Sequence, residues 1–150
     1  MAETAVLIEN KKAKLRFSLI EAFSAGLELS GGEVKSLRSK LGSLDGARVI
    51  VRGGEAYVTG MTIPPYQAAN TAKDYDPERT RRLLLTKDEI AQIADAESKK
   101  GLTTVPFEVY NDRYLKMRVA IVRGKGKADR REDLKKKEAK REAERILKRK

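Results

Sequence analysis

Leu15, Phe17 and Leu19 alternate with Arg16, Ser18 and Ile20, and the run extends to Phe23 before Ala25-Gly26. That pattern predicts a strand closed by a turn, with Gly26 to Leu29 as its return strand. After Ser30-Gly31-Gly32 the period changes: Val34, Leu37 and Leu41 fall at helical spacing, so Glu33 to Lys40 reads as a short helix with an acid in its first turn. Its exposed face would carry Lys35, Arg38 and Ser39. Ala47 to Arg52 and Glu55 to Met61 flank Gly53-Gly54, a two-residue hairpin signal. From Thr62 to Thr80 neither period holds, and Ile63-Pro64-Pro65 and Asp76-Pro77 predict a long surface loop, of the kind that often carries function. Thr86 and Glu89 form a capping box ahead of Ile90, Ile93 and Ala94, with Gly101 placed to end that helix. Thr103 to Tyr110 and Tyr114 to Val122 alternate across Asn111-Asp112 as a second hairpin, on whose last strand Leu115, Met117, Val119 and Ile121 share one face and Lys116, Arg118 and Ala120 the other. Six short strands interrupted by two helices predict a mainly β fold, an OB-like small antiparallel barrel with two or three short helices and a basic C-terminal tail.

Charge separates the chain into two parts. Overall, 33 Lys+Arg face 22 Asp+Glu, a formal net charge of +11. Residues 124–150 hold 13 basic and 6 acidic side chains, and residues 1–123 hold 20 and 16, so most of the surplus lies in the last 27 positions. Beyond Arg123 the large aliphatics are Leu134, Ile146 and Leu147, too few for a core. The expected organisation is therefore a barrel over 1–123 and a basic tail over 124–150, hinged at Gly124-Lys125-Gly126-Lys127. Tail pairs such as Glu132–Lys136 and Glu144–Lys148 are in the favourable order at i,i+4, each adding about 0.2–0.5 kcal/mol. That predicts a segment disordered alone and helical against a negatively charged surface.

The charge surplus points to a polyanionic partner. With no Cys and no His in the chain, disulfides, thiolate and imidazole catalysis, and zinc sites built from those residues are excluded. Lys35-Ser36 is not a P-loop, because Val34 stands where the loop needs glycine. Glu33, Asp45 and Glu55 have no spacing that would gather a metal, so neither cofactor nor catalytic residue is expected. No run approaches the roughly 18–20 apolar residues of a membrane span, and the N-terminus lacks the layout of a signal peptide, so a cytoplasmic protein with no membrane partner is expected. Basic residues interleave with amides, hydroxyls or aromatics in Asn10-Lys11-Lys12, Lys35-Ser36-Leu37-Arg38, Arg79-Thr80-Arg81-Arg82 and Arg123-Gly124-Lys125. Any one of these is also what a solubilising face looks like. Four bordering one barrel favour nucleic acid, with Tyr66 available for stacking, and the lack of a helix suited to a major groove favours RNA. A magnesium-dependent RNA-processing enzyme and a general ribosome-binding factor are the alternatives.

Taken in order, Asn10-Lys11-Lys12-Ala13, Gly32-Glu33-Val34-Lys35-Ser36-Leu37-Arg38, Arg79-Thr80-Arg81-Arg82-Leu83-Leu84-Leu85, Gly101-Leu102-Thr103, Val105-Pro106, Ala120 to Lys125 and Asp129-Arg130-Arg131 closely resemble the SsrA-binding protein (SmpB) family over nearly the whole chain. The resemblance implies an OB-fold barrel that binds the tRNA-like domain of transfer-messenger RNA (SsrA RNA) and delivers it to stalled ribosomes for trans-translation and ribosome rescue. It further implies a tail that enters the empty mRNA channel of the small subunit beside the decoding centre. Elongation factor Tu and alanyl-tRNA synthetase would act on the same RNA. Carried over by motif, Asn10, Lys11, Lys12, Glu33, Lys35, Ser36, Arg38, Arg81, Arg123 and Lys125 become candidates for contacting RNA or shaping its surface. Glu33, as a carboxylate, would orient Lys35 or accept from a base or ribose hydroxyl. Lys127, Asp129, Arg130, Arg131, Lys135, Lys136, Lys140 and Arg141 become the ribosome-binding tail candidates. Leu15 stands near where the family commonly has His, and Ala128 where relatives often carry an aromatic or His, so stacking contacts at both places are in question.

Overall fold

Gly53 and Gly54 take φ of +60° and +78°, the paired positive values of a tight hairpin turn, and set the register Arg52↔Glu55 between β3 (Arg48–Arg52) and β4 (Glu55–Thr59). The computed structural model describes residues 5–67 and 74–124. Around that hairpin stand β1 (Ala5–Glu9), α1 (Lys11–Arg16), β2 (Phe17–Leu27), α2 (Gly31–Arg38), β5 (Arg81–Leu84), α3 (Lys87–Glu97), β6 (Leu102–Asp112) and β7 (Tyr114–Gly124). The strands form one antiparallel sheet in the order β1-β6-β7-β2-β5-β4-β3. The sheet curls until β3 packs against β6, and α3 lies across both, which gives the small barrel the strand pattern predicts.

The expected alternation on β7 is observed. Leu115, Met117, Val119 and Ile121 enter the main core with Leu37, Val49, Val58, Leu83 and Ile93. On the opposite face Ala120 and Val122 join Ala13, Val105 and Phe107 in a second, smaller cluster beneath α1. One barrel edge is sealed by a side chain: the Val51 amide donates to Glu97 Oε1 of α3 at 2.9 Å, and Arg52 Nη1 lies 3.3 Å from Glu97 Oε2.

Several local expectations are corrected. Residues 11–16 are helical, because the Asn10 side chain caps the turn by accepting from the Ala13 amide; the apparent alternation at Leu15 is incidental, and Leu15 is 65% exposed. Gly26 is no turn. β2 runs through it unbroken, and a Cβ at that position would lie 3.1 Å from the Leu84 Cβ, so the glycine lets β5 approach. The second hairpin turns at Arg113, φ +47°, one to two residues beyond Asn111-Asp112, which pair within the ladder. α3 ends at Glu97, before Gly101. Thus there are seven strands rather than six and three helices among the described residues, with β1, β5 and α1 unanticipated.

Candidate nucleic-acid interface

α2 begins two residues earlier than its apolar spacing suggests because Ser30, not Gly32, caps it. Ser30 Oγ accepts from the Glu33 amide and Glu33 Oε1 accepts from the Ser30 amide, a complete capping box. At the other end the Leu41 amide donates to the Ser36 carbonyl and the Lys40 amide to Leu37, both at 2.9 Å, with Lys40 in the left-handed region at φ +63°. This Schellman geometry stops the helix sharply. One face is buried through Glu33, Ser36 and Leu37; the other presents Lys35 and Arg38 to solvent.

Beneath that helix Glu33 is 1% exposed and receives two guanidinium groups. Arg81 Nε donates to Glu33 Oε2 at 2.7 Å, Arg79 Nε donates to the same oxygen at 3.1 Å, and Arg79 Nη2 donates to Oε1. Arg81, itself wholly buried, also donates to the carbonyls of Met61, Arg79 and Pro77, each at 2.9 Å. Tyr75 Oη donates to the Ile63 carbonyl at 2.7 Å and lies 3.2 Å from Glu33 Oε2. Ser36 Oγ donates to the Pro64 carbonyl at 2.7 Å. Both described ends of the connection after β4 are therefore stitched to α2, and Met61 and Ile63 are fully buried, so these ends are not the free surface loop expected. Burial pushes the Glu33 carboxyl up, but the hydrogen bonds from Arg79, the Ser30 backbone and Arg81 outweigh it and hold its pKa at about 2. The same burial, with the Glu33 charge beside it, pushes the Tyr75 phenol up.

Asn10 is also internal. Its side-chain amide donates to the Leu44 carbonyl at 3.2 Å and the Pro106 carbonyl at 2.9 Å, tying the start of α1 to the segment that follows α2. Lys11 and Lys12 extend from this anchored turn into solvent, Lys12 lying 3.7 Å from Asp45.

The candidates thus divide. Lys11, Lys12, Lys35, Arg38 and Arg123 are exposed, whereas Asn10, Glu33, Ser36 and Arg81 are buried with their polar atoms engaged. Of the two roles expected of those four, contacting RNA or shaping its surface, their burial suits the second, since they fix the elements that display the cations. Glu33 orients Arg79 and Arg81 rather than Lys35. Arg123 is the last residue but one of β7, paired in the ladder with Ser18 and Leu102. Lys125 and the tail candidates lie outside the described residues. The sequence reading missed Arg79 and Tyr75 as members of the network. A signal was present, since Arg81, Leu83 and Leu85 share one phase of a period-two pattern, which places Arg81 inward.

Several surface cations are paired with carboxylates. Arg52 pairs with Glu97, Arg82 with Glu28 and Glu55, Lys99 with Asp95, Lys116 with Asp112 and Arg118 with Glu108. Lys35 and Arg38 are in no salt bridge among the described residues, which leaves their charge available to phosphate, while Lys11 lies in the field of the Glu9 carboxylate.

The family model described as "SmpB protein" matches residues 7–149. The chain belongs to the SmpB family. Among curated relatives, an SsrA-binding protein of Gloeothece citriformis is 36% identical, covering 98% of this chain and 96% of its own. One of Alkalilimnicola ehrlichii is 42% identical over 97% and 91%. Among solved structures, a chain from "tmRNA-SmpB: a journey to the center of the bacterial ribosome" superposes with a TM-score of 0.67 at 34% identity, covering 85% of this chain and 93% of that one. In this family the Glu33–Arg79–Arg81 cluster and the α2 cations sit within one continuous match.

Proposed function

We propose that this protein binds transfer-messenger RNA and carries it to stalled ribosomes for trans-translation, as a non-enzymatic adaptor in the cytoplasm. The observation that carries the reading is the full-length match to SsrA-binding proteins, which extends through the basic tail as well as the barrel. The geometry supports it. Buried Glu33, Arg81, Asn10 and Ser36, with half-buried Arg79, lock α2 and the α1 turn in place, and those elements hold out Lys35, Arg38, Lys11 and Lys12 for RNA phosphates and sugars.

In this reading residues 1–123 grip the tRNA-like domain. Residues 124–150, through Lys127, Asp129, Arg130, Arg131, Lys135, Lys136, Lys140 and Arg141, contact ribosomal RNA at the decoding centre and in the mRNA channel. A message running past the A site would occupy the same groove and exclude the tail, so vacancy is the signal. Elongation factor Tu and alanyl-tRNA synthetase act on the same RNA.

The test is binding of the tRNA-like domain by gel shift against competitor tRNA. Lys35→Ala with Arg38→Ala is expected to weaken binding about tenfold with no change in melting temperature. A log–log salt slope shallower by about 1.4 would correspond to two lost phosphate contacts, at about 0.7 each. Unchanged affinity would remove the α2 face from the site, and equal competition by bulk tRNA would favour a general ribosome-binding factor instead.

A further inference from the structure

β2 pairs with β5 only at Gly26 and Leu27, so among the described residues the earlier part of β2 has no strand on that side. Where the ladder is missing, Ile20 and Glu21 line a cleft of about 240 Å³ whose opposite wall is α3. Ala96 and Ile121, both buried, form its floor, with half-buried Leu102 beside them and Ile20, 49% exposed, at its rim. The polar part of the wall is acidic. Asp95 is paired with Lys99 at 3.0 Å, but exposed Glu21 is in no salt bridge among the described residues, and its Oε1 accepts from the Ala22 amide at 3.2 Å. α3 itself carries Asp88, Glu89, Asp95 and Glu97 against Lys87, in a chain whose net charge is +11. An acidic rim repels phosphate. The volume also falls below the range of small-molecule pockets, about 300–1,000 Å³, and suits aliphatic side chains flanked by cations.

Outside the described residues the chain carries that pattern at Arg145-Ile146-Leu147-Lys148, two adjacent large aliphatics between cations; Leu134, the other large aliphatic beyond Arg123, stands alone. The distance is short enough. Phe17 pairs with Gly124, so the chain leaves the barrel three residues along β2 from Ile20, about 10 Å at 3.3 Å per residue. The stretch from Gly124 to Ile146 spans about 33 Å even if wholly helical. Tethering gives the segment an effective concentration on the order of 1 mM, so a contact with a dissociation constant of about 1 mM between separate molecules would be about half formed. We propose that the C-terminal end of this chain docks in the cleft, Ile146 and Leu147 against Ile20, Ala96 and Leu102, with the neighbouring cations beside Glu21. Docked there, the end of the tail is held on the barrel until a stronger surface draws it away. The inference goes beyond the proposed function, which concerns RNA and the cations of α1 and α2.

The test uses the full chain with carbon-13 in its isoleucine methyl groups and a nitroxide on Lys150→Cys, a unique thiol because the sequence has no Cys. The Ile20 and Ile121 methyl signals are expected to broaden about threefold more than those of Ile8 in β1 and Ile63 beneath α2. Ile146→Ser with Leu147→Ser should bring all four to one level. Glu21→Lys alone should lower the excess at Ile20 and Ile121 about twofold. Circular dichroism melting verifies that the Glu21 variant is folded, and the tail substitutions, which leave the barrel sequence intact, decide the matter if it is not.

Equal broadening of the four methyl signals in the parent chain, or an excess that survives either change in a folded variant, would overturn the proposal. So would broadening at Ile20 when nitroxide-bearing chains without carbon-13 are mixed with labelled chains without nitroxide, because the occupant would then be the tail of a second copy. No RNA enters the measurement, so its outcome is independent of the proposed function.

Discussion

Glu33 is a carboxylate between two guanidinium groups, almost wholly hidden from water, and its charge state is part of the fold. A carboxyl whose folded pKa is held at about 2 against an ordinary 4.5 stabilises the native state fully above pH 4.5, and that contribution is lost as pH falls toward 2. The difference corresponds to about 3 kcal/mol. Urea denaturation followed between pH 5.5 and pH 2 is expected to show this loss in the wild type and to lack it in Glu33→Gln, which should already be destabilised by about 3–5 kcal/mol at neutral pH because Arg81 is left buried without its counter-charge. A variant that kept the wild-type acid slope would show that other carboxylates dominate it. Lys40 offers the opposite case. Held at φ +63° after α2, it pays the Cβ penalty of the left-handed region. Replacement by glycine is expected to raise stability by about 0.5–1 kcal/mol, read as a shift in the urea midpoint at constant m-value, with RNA affinity unaltered.

At the scale of elements, patterns that depend on neighbours in sequence were legible and those that depend on neighbours in space were not. The Gly53-Gly54 hairpin, the Thr86/Glu89 capping box and the two faces of β7 are local matters, and each stands as read. α1 was hidden because its cap, Asn10, is itself fastened by carbonyls 34 and 96 residues away, information no window along the chain contains. β5 was hidden because Arg81 has the composition of a surface and the environment of a core, a burial permitted only by Glu33 and three carbonyls reached through the fold. The candidate site was legible to the same degree: motif and spacing could not separate the exposed cations, Lys35 and Arg38, from the buried residues that hold their helix, Glu33 and Ser36. Gly26 shows the same limit, a residue read as a turn whose role is to admit β5. Gly26→Ala is expected to cost about 1–3 kcal/mol in urea denaturation, because the new Cβ meets the Leu84 Cβ at 3.1 Å and the β2–β5 ladder must spread. No loss would mean that exposed Leu84 yields freely.

For the whole molecule the division between barrel and tail is the property to test. Among the described residues, the barrel's cations are in part paired with carboxylates and in part free across several elements, whereas the last 27 residues hold a surplus of seven positive charges. Removing residues 127–150 is expected to leave binding of the tRNA-like domain within about threefold while abolishing peptide tagging on stalled ribosomes, measured in a reconstituted translation system. Parallel loss of both activities would contradict two separable parts. No helix among the described residues is long and apolar enough to cross a membrane.

Glu97 has a further consequence for how the protein behaves in company. An unpaired border strand invites any passing extended peptide to zip onto it, and proteins with such borders gather into aggregates. By taking up the Val51 amide, the α3 carboxylate withdraws one of the docking points such a peptide would need and leaves a guanidinium standing guard alongside it. The β3 border thus offers a second strand one fewer hydrogen-bond donor than its length would supply.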